Sequence, residues 1–104
     1  MSFNEDVWEM CKRIPEGSVS TYGELARALN TKAYQAVGNA MNKNPRGAWN
    51  TSGPERVPCH RVVNSDGRVG GFARGTEAKI ALLEKEGVEV RNNKVDLKRY
   101  LFRF

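Results

Sequence analysis

The sequence predicts a mainly α fold with a small β element. Two observations carry that reading. Apolar residues recur at helical spacing in four separate segments, whereas alternation is confined to a short stretch from Val88 to Leu97. Turn formers punctuate the remainder at Pro15-Glu16-Gly17, Asn30-Thr31-Lys32, Asn64-Ser65-Asp66-Gly67 and Asn92-Asn93. At 104 residues, 39% hydrophobic and 28% charged, the chain suits one domain, residues 1–104, around one modest core.

The first helix runs from Phe3 to Arg13. Phe3, Val7, Trp8, Met10, Cys11 and Ile14 fall near helical spacing, Glu5 and Asp6 occupy the first turn and Lys12-Arg13 the last, as the helix dipole favours. Pro15 ends it, and Cys11 reads as core filler. Ser18 to Thr21 is short and β-branched, and Ser20 or Thr21 caps a second helix, Tyr22 to Leu29, packed through Leu25, Ala26 and Leu29. A third helix follows from about Ala33 to Asn42. Two short helices joined by the turn Asn30-Thr31-Lys32 form a helix-turn-helix, in a winged-helix-like arrangement. Ala33, Ala36, Gly38 and Ala40 either let the third helix approach an outside surface closely or permit tight packing within the domain.

Residues 44–57 are rich in turn formers and read as a loop. Beyond Cys59 to Val63 and its turn, Arg68 to Phe72 is expected as a short return strand. Gly70-Gly71-Phe72-Ala73-Arg74-Gly75 lets the backbone approach a ligand, but lacks the lysine of a phosphate loop. Thr76 is expected to cap a helix from Glu77 to Glu86, with Ala78, Ile80, Ala81, Leu82 and Leu83 apolar and Gly87 as its stop. Val88-Glu89-Val90 and Val95 to Leu97 form a hairpin about Asn92-Asn93. Lys98 to Phe104 ends on aromatics that either stack on bases or dock onto the core.

No apolar run approaches the roughly 18 residues that span a bilayer, and the first residues lack the pattern of a secretory signal. An intracellular location is expected, cytoplasmic and nucleoid-associated or nuclear. Two cysteines and one histidine supply neither a disulfide framework nor a zinc site, so no metal is expected. The formal charge of +5 is unevenly spread: residues 1–52 carry six basic and five acidic groups, residues 53–104 eleven and seven. Such a balance suits a polyanion partner.

The chemistry concentrates in Val57-Pro58-Cys59-His60-Arg61-Val62, where one of two cysteines adjoins the only histidine. A thiolate is the nucleophile, and a neighbouring imidazole or guanidinium lowers a cysteine pKa toward neutrality. Adjacent residues face apart on a helix or strand, so this pair couples only in a turn-like segment or through a bridging water. Taken alone, the pair reads first as a buried small thiol beside a satisfied histidine, ahead of the catalytic reading.

Pro58-Cys59-His60-Arg61-Val62-Val63, followed by Gly67 and Gly70-Gly71-Phe72, resembles the active-site signature of the O6-alkylguanine-DNA alkyltransferases. The similarity continues from about Phe3 to about Val90. It implies DNA repair by direct, irreversible transfer of an alkyl group from guanine O6 in duplex DNA to Cys59 after nucleotide flipping. That is the activity of a single-turnover methylated-DNA–protein-cysteine S-methyltransferase, which needs no cofactor. The resemblance makes His60 a base acting through water and Glu86 the carboxylate that orients it. Asn44 would hydrogen-bond that water, and Tyr22 would touch the flipped base and protonate it at N3. The Val62 carbonyl and the backbone at Gly71, Phe72 and Ala73 would read the guanine, with Lys79 beside the pocket. Ala33, Tyr34, Gln35, Ala36, Gly38 and Asn39 on the third helix would enter the minor groove, joined by Tyr22 and Arg61. Without the resemblance, Glu86 is a solvated helix-end charge, Asn44 a turn residue, Tyr22 a half-buried tyrosine and Lys79 a surface lysine. The implied partner is double-stranded DNA containing O6-alkylguanine, bound by a monomer away from any membrane, with a repair factor as a further partner.

Three departures matter. Where the family inserts an arginine into the gap left by the base, this chain has Gln35, so weaker DNA binding is expected, or help from Lys32, Lys43 or Arg46. The resemblance does not extend to the family's usual N-terminal domain, so a single-domain form is expected, and the loop before Val57 is longer than in two-domain members. The ending from Gly87 to Tyr100 is similar to that of the single-domain alkyltransferase-like proteins. These bind alkylated DNA and flag it for excision repair, commonly with tryptophan in place of the reactive cysteine. A non-enzymatic sensor is therefore the alternative, although this chain keeps Cys59.

Overall fold

A computed structural model describes residues 2–44, 56–71 and 75–104. Its elements in order are α1 (Phe3–Cys11), β1 (Ser20–Thr21), α2 (Tyr22–Ala28), α3 (Tyr34–Asn42), a 3-10 turn (Cys59–Arg61), β2 (Val62–Val63), α4 (Thr76–Lys85), β3 (Val90–Arg91), β4 (Lys94–Val95) and α5 (Leu97–Tyr100). The mainly helical architecture with a helix-turn-helix is as expected.

Local chemistry sets most boundaries. The Ser2 side chain accepts the Glu5 amide at the start of α1, and Thr21 Oγ accepts that of Glu24 at 3.0 Å to start α2. α1 stops at Cys11, earlier than the charge pattern implied. The amides of Arg13 and Ile14 bond to the carbonyls of Met10 and Cys11, tightening the last turn ahead of Pro15. α2 ends in a Schellman motif: Asn30 takes φ 56°, its amide bonds to Arg27 and the Thr31 amide to Ala26. α4 ends the same way. Gly87 has φ 92°, its amide bonds to Glu84, and the Val88 amide bonds to Leu83.

Two apolar clusters flank the short strands. The first gathers Val7, Cys11 and Ile14 with Leu25, Ala26, Val37, Ala40, Val57 and Val62, so it joins α1, α2 and α3. Trp8 Nε1 donates to the Ala40 carbonyl at 2.8 Å and locks α1 onto α3. The second contains Val19, Val63, Val69, Leu83, Val88 and Val95, beneath α4 and the hairpin. β1 and β2 pair in parallel, Ser20 with Val62 and Thr21 with Val63. Successive strand residues point to opposite faces, so Val62 feeds one cluster and Val63 the other.

Four expectations are corrected. The return after β2 is limited to one bond, from the Asn64 amide to the Arg68 carbonyl at 2.9 Å; Arg68 instead bridges to Lys94, and the amides of Val69 and Val95 bond to the carbonyls of Asn93 and Gly67, adding residues 67–69 to the hairpin. Leu97 opens α5 instead of extending β4. Thr76 is the first residue of α4, not its cap: Gly75 holds that place, and Thr76 Oγ1 donates to the Gly70 carbonyl at 3.3 Å. On α4 the fully buried residues are Lys79 and Leu83, an i, i+4 pair, whereas Ala81 is exposed. The aromatic ending docks onto the first cluster, with the Phe102 amide on the Val19 carbonyl and Ser20 Oγ donating to the Phe102 carbonyl.

Two glycines separate backbone cost from steric cost. A Cβ on Gly87 would meet open space, so Gly87→Ala should lose about 1–2 kcal/mol for its left-handed backbone alone. A Cβ on Gly67 would lie 2.6 Å from the Val95 carbonyl oxygen at φ 91°, so Gly67→Ala should lose more. Urea midpoints of the two variants give the ranking, and the reverse order contradicts it.

Candidate active site

Pro58 leads Cys59, His60 and Arg61 into a single 3-10 turn, the turn-like segment that an adjacent thiol and imidazole require. The Cys59 amide bonds to the Val57 carbonyl at 2.8 Å and that of Arg61 to Pro58 at 2.9 Å. Cys59 is 6% exposed at the rim of the first cluster, and His60 is fully buried. The turn faces the end of α4. His60 Nε2 lies 3.1 Å from Glu86 Oε2, off the ring N–H direction, so neither ring nitrogen has an aligned hydrogen-bond partner.

Glu86 is the C-cap of α4, where the helix dipole disfavours a carboxylate. Arg61 compensates. Its Nε and Nη2 grip Oε1 and Oε2 at 2.8 and 2.6 Å, while Nη1 donates to the Ile14 carbonyl at 2.9 Å behind α1. Arg56 Nη2 stands 3.9 Å from the same carboxylate. Arg61 was expected at the DNA; its guanidinium instead turns inward, because an anion 25 residues away claims it. The Glu86 side chain is only 5% exposed. Burial pushes its carboxyl up, but the bonds from Arg61 and the His60 contact outweigh that and bring it to about 2. Glu86 is thus a buried carboxylate at neutral pH, not a solvated charge.

Asn44, also buried, donates through Nδ2 to the Val57 carbonyl at 3.1 Å and hydrogen-bonds the thiol. Burial pushes the Cys59 thiol up, and Asn44 and Lys79 offset only part of the rise. The thiol at rest is therefore protonated, contrary to the lowered value expected from its neighbours in sequence. Burial likewise pushes His60 down against the pull of Glu86, leaving a neutral imidazole. Burial raises Tyr22, which packs on the first cluster, and charge on Cys59 would raise it further.

Lys79 is fully buried, its Nζ donating to the carbonyls of Val69 at 2.6 Å and Gly71 at 3.4 Å. Burial brings its pKa down to about 8, an effect that charge on Cys59 or Cys11 would oppose. Its place on the buried face could have been read from the four-residue step to Leu83. Arg56, missed in the sequence, had no such signal. The Val62 side chain is buried beside the turn and Gly71 is exposed, while Phe72 and Ala73, expected to line the pocket, lie outside the described residues, as does Arg46.

α3 presents two faces. Val37, Ala40 and Met41 are buried, whereas Ala33, Tyr34, Gln35 and Asn39 are exposed and Ala36 and Gly38 half-buried. Ala40 thus serves internal packing. Gly38 does not: a Cβ there would meet nothing within 4 Å. Among the described residues no cluster of His, Cys, Asp or Glu could hold a metal, and no helix is long and apolar enough to cross a membrane.

The family described as 6-O-methylguanine DNA methyltransferase, DNA binding domain, matches residues 2–88. A methylated-DNA–protein-cysteine methyltransferase of Thermococcus kodakarensis is 49% identical over 88 residues, covering 84% of this chain and 45% of that protein. The chain spans about half the length, or less, of the curated relatives it matches. In shape it is similar to S. pombe Atl1 in complex with damaged DNA containing O6-carboxymethylguanine, with TM-score 0.81, 32% identity and coverage of 98% of this chain and 95% of that one. It is also similar to Mycobacterium tuberculosis OGT in complex with DNA, with TM-score 0.74, 36% identity and coverage of 84% and 49%. With the Cys59–His60 turn set against Glu86 and a family match over most of its length, the chain belongs to the 6-O-methylguanine DNA methyltransferase DNA-binding-domain family.

Proposed function

We propose that the protein repairs alkylated DNA by moving the alkyl group from guanine O6 to Cys59. The observation that carries this reading is the convergence of a thiol, a neutral imidazole and a buried carboxylate at one turn, with Asn44 on the sulfur. The extruded nucleotide presents its O6-alkyl carbon to Cys59 Sγ, at an unstacking cost of a few kcal/mol. The sulfur attacks that carbon in line; the S–C bond forms as the C–O6 bond breaks, and the electron pair leaves with the guanine. His60, through solvent, takes the thiol proton, and Glu86, 3.1 Å from its ring, stabilises the imidazolium. The Tyr22 hydroxyl donates a proton at N3 of the departing base, and the proton held by His60 restores the balance. The product thioether is stable, so each molecule acts once.

α3 is the element that enters the minor groove, and its half-buried Gly38 and Ala36 suit close approach. Gln35 fills the gap left by the base without adding charge. A second reading, the sensor that binds the lesion without accepting the group, is favoured by one observation: the match to S. pombe Atl1 spans nearly the whole of both chains. Cys59 itself favours transfer.

Incubation with duplex containing O6-methylguanine, followed by intact-protein mass spectrometry, should show a gain of one methyl that is absent from Cys59→Ser. Unmodified wild-type protein that still binds the duplex establishes the sensor instead. In the DNA-free protein, the iodoacetamide reaction at Cys59 should rise about tenfold per pH unit from pH 7 to 9, because the thiolate fraction grows that way below a raised pKa. A rate already level at pH 7 would mean a resting thiolate.

A further inference from the structure

A basic groove runs along the outer side of α2, away from the Cys59 turn. Its first part, an open groove of about 480 Å³, lies between the start of α2, Ser65 and the segment from Leu97 to Arg103. Its second part, about 350 Å³, lies between α2 and the residues leading into α3, ending at Tyr34. Gly23 and Arg27 line both, so the two form one track that reaches the exposed start of α3.

The charges along it are one-sided. Arg27, Lys32, Lys98 and Arg103 line the track, and Glu24 is the one acid among its lining residues. Glu24 is already spent: it accepts Arg27 Nε at 3.0 Å and stands 3.6 Å from Arg103 Nε, with its side chain 16% exposed. The two guanidiniums remain 65% and 70% exposed, buttressed from behind by one carboxylate. Arg103 is displayed by the packing of its two neighbours. Phe102 and Phe104 pack inward on the first cluster, edge to face at 5.3 Å, and the residue between them is thrown outward.

We infer that this track seats the sugar–phosphate backbone of duplex DNA flanking the stretch that α3 opens, through Arg27, Lys98 and Arg103. The inference rests on the DNA-repair reading above and extends its footprint to a surface that the recognition helix does not supply. Held guanidiniums at fixed positions are suited to phosphate oxygens, and their charge offsets the cation that Gln35 lacks. Tyr34, 56% exposed where the track meets α3, gives the strand an aromatic flank.

The test is fluorescence-anisotropy titration of an undamaged duplex of about 20 base pairs over a range of salt. Each lost phosphate contact lowers the slope of log affinity against log salt by about 0.9. Lys98→Gln/Arg103→Gln should therefore flatten the slope by about 2, whereas Lys85→Gln/Arg91→Gln, with the same loss of net charge outside the track, should keep it. Arg27→Gln alone, at a side chain 65% exposed, should flatten the slope by about 1 and keeps the inference testable if the double variant fails to fold. Equal losses in the two double variants, or an unchanged slope in Arg27→Gln, overturn it. Alkyl transfer is scored separately by the mass of wild-type protein: binding without a mass gain defeats transfer while leaving the slopes readable.

Discussion

The Glu86 carboxylate is the point at which three elements around the site meet. It ends α4, is gripped on both oxygens by Arg61 and touches His60, while Arg61 reaches on to the carbonyl of Ile14 behind α1. One ion pair thus ties three elements together: the last turn of α4, the 3-10 turn and the exit of α1. Neither electrostatics nor helix chemistry favours this in isolation. A carboxylate opposes the dipole at a helix C-terminus, and burying charges costs several kcal/mol per ion before their attraction is counted. The pair persists because its geometry is bidentate, with two aligned N–H donors, and because Gly87 and the Val88–Leu83 bond fix where the cap residue stands. The group proposed to orient the base is thereby also the group that fastens the turn carrying the nucleophile.

A second consequence follows from burial. The surroundings that assemble the thiol, imidazole and carboxylate also desolvate them, so the thiol is held above its ordinary range and the imidazole below it. The resting pair is neutral on neutral. If each transfer consumes the protein, as proposed, that arrangement is protective: a protonated thiol at 6% exposure is a poor target for oxidants and stray electrophiles, whose attack would consume the molecule without repair. On the proposed mechanism, reactivity is a property of the complex, in which a proton passes to His60 as the carbon is attacked.

The motif around Cys59 and the four long helices were legible from the sequence because each rests on local information. A proline before the cysteine, a cap at Thr21, the turn at Asn30-Thr31-Lys32 and the stop at Gly87 act within a few residues. What escaped depends on partners distant along the chain. Arg61 follows His60 directly, yet its partner is 25 residues away, and no spacing rule distinguishes it from a phosphate contact. Residues 67–69 join the hairpin because Val69 and Val95 find acceptors across it, which overrides the local case for a return strand. Thr76 could cap a helix on sequence grounds, but its hydroxyl is engaged by Gly70. The thiol pKa inverts for the same kind of reason: sequence neighbours argue from charge, and the fold adds a larger desolvation.

The small residues of α3, ambiguous in the sequence, divide once the helix has a buried face. Ala40 is fully buried and its carbonyl accepts the Trp8 bond, so its smallness belongs to the fold. Gly38 stands clear of every neighbour within 4 Å, so internal packing does not demand glycine there. A residue with helix propensity about 1 kcal/mol poorer than alanine, in a helix of nine residues, runs against the stability of the element that bears it. That cost is rational if the outer face must come close to another surface, and a minor groove about 6 Å wide is such a surface. On the proposed reading, α3 divides its labour by face: bulk and hydrogen bonding hold it to α1, while absence of bulk opens its outer face to the duplex.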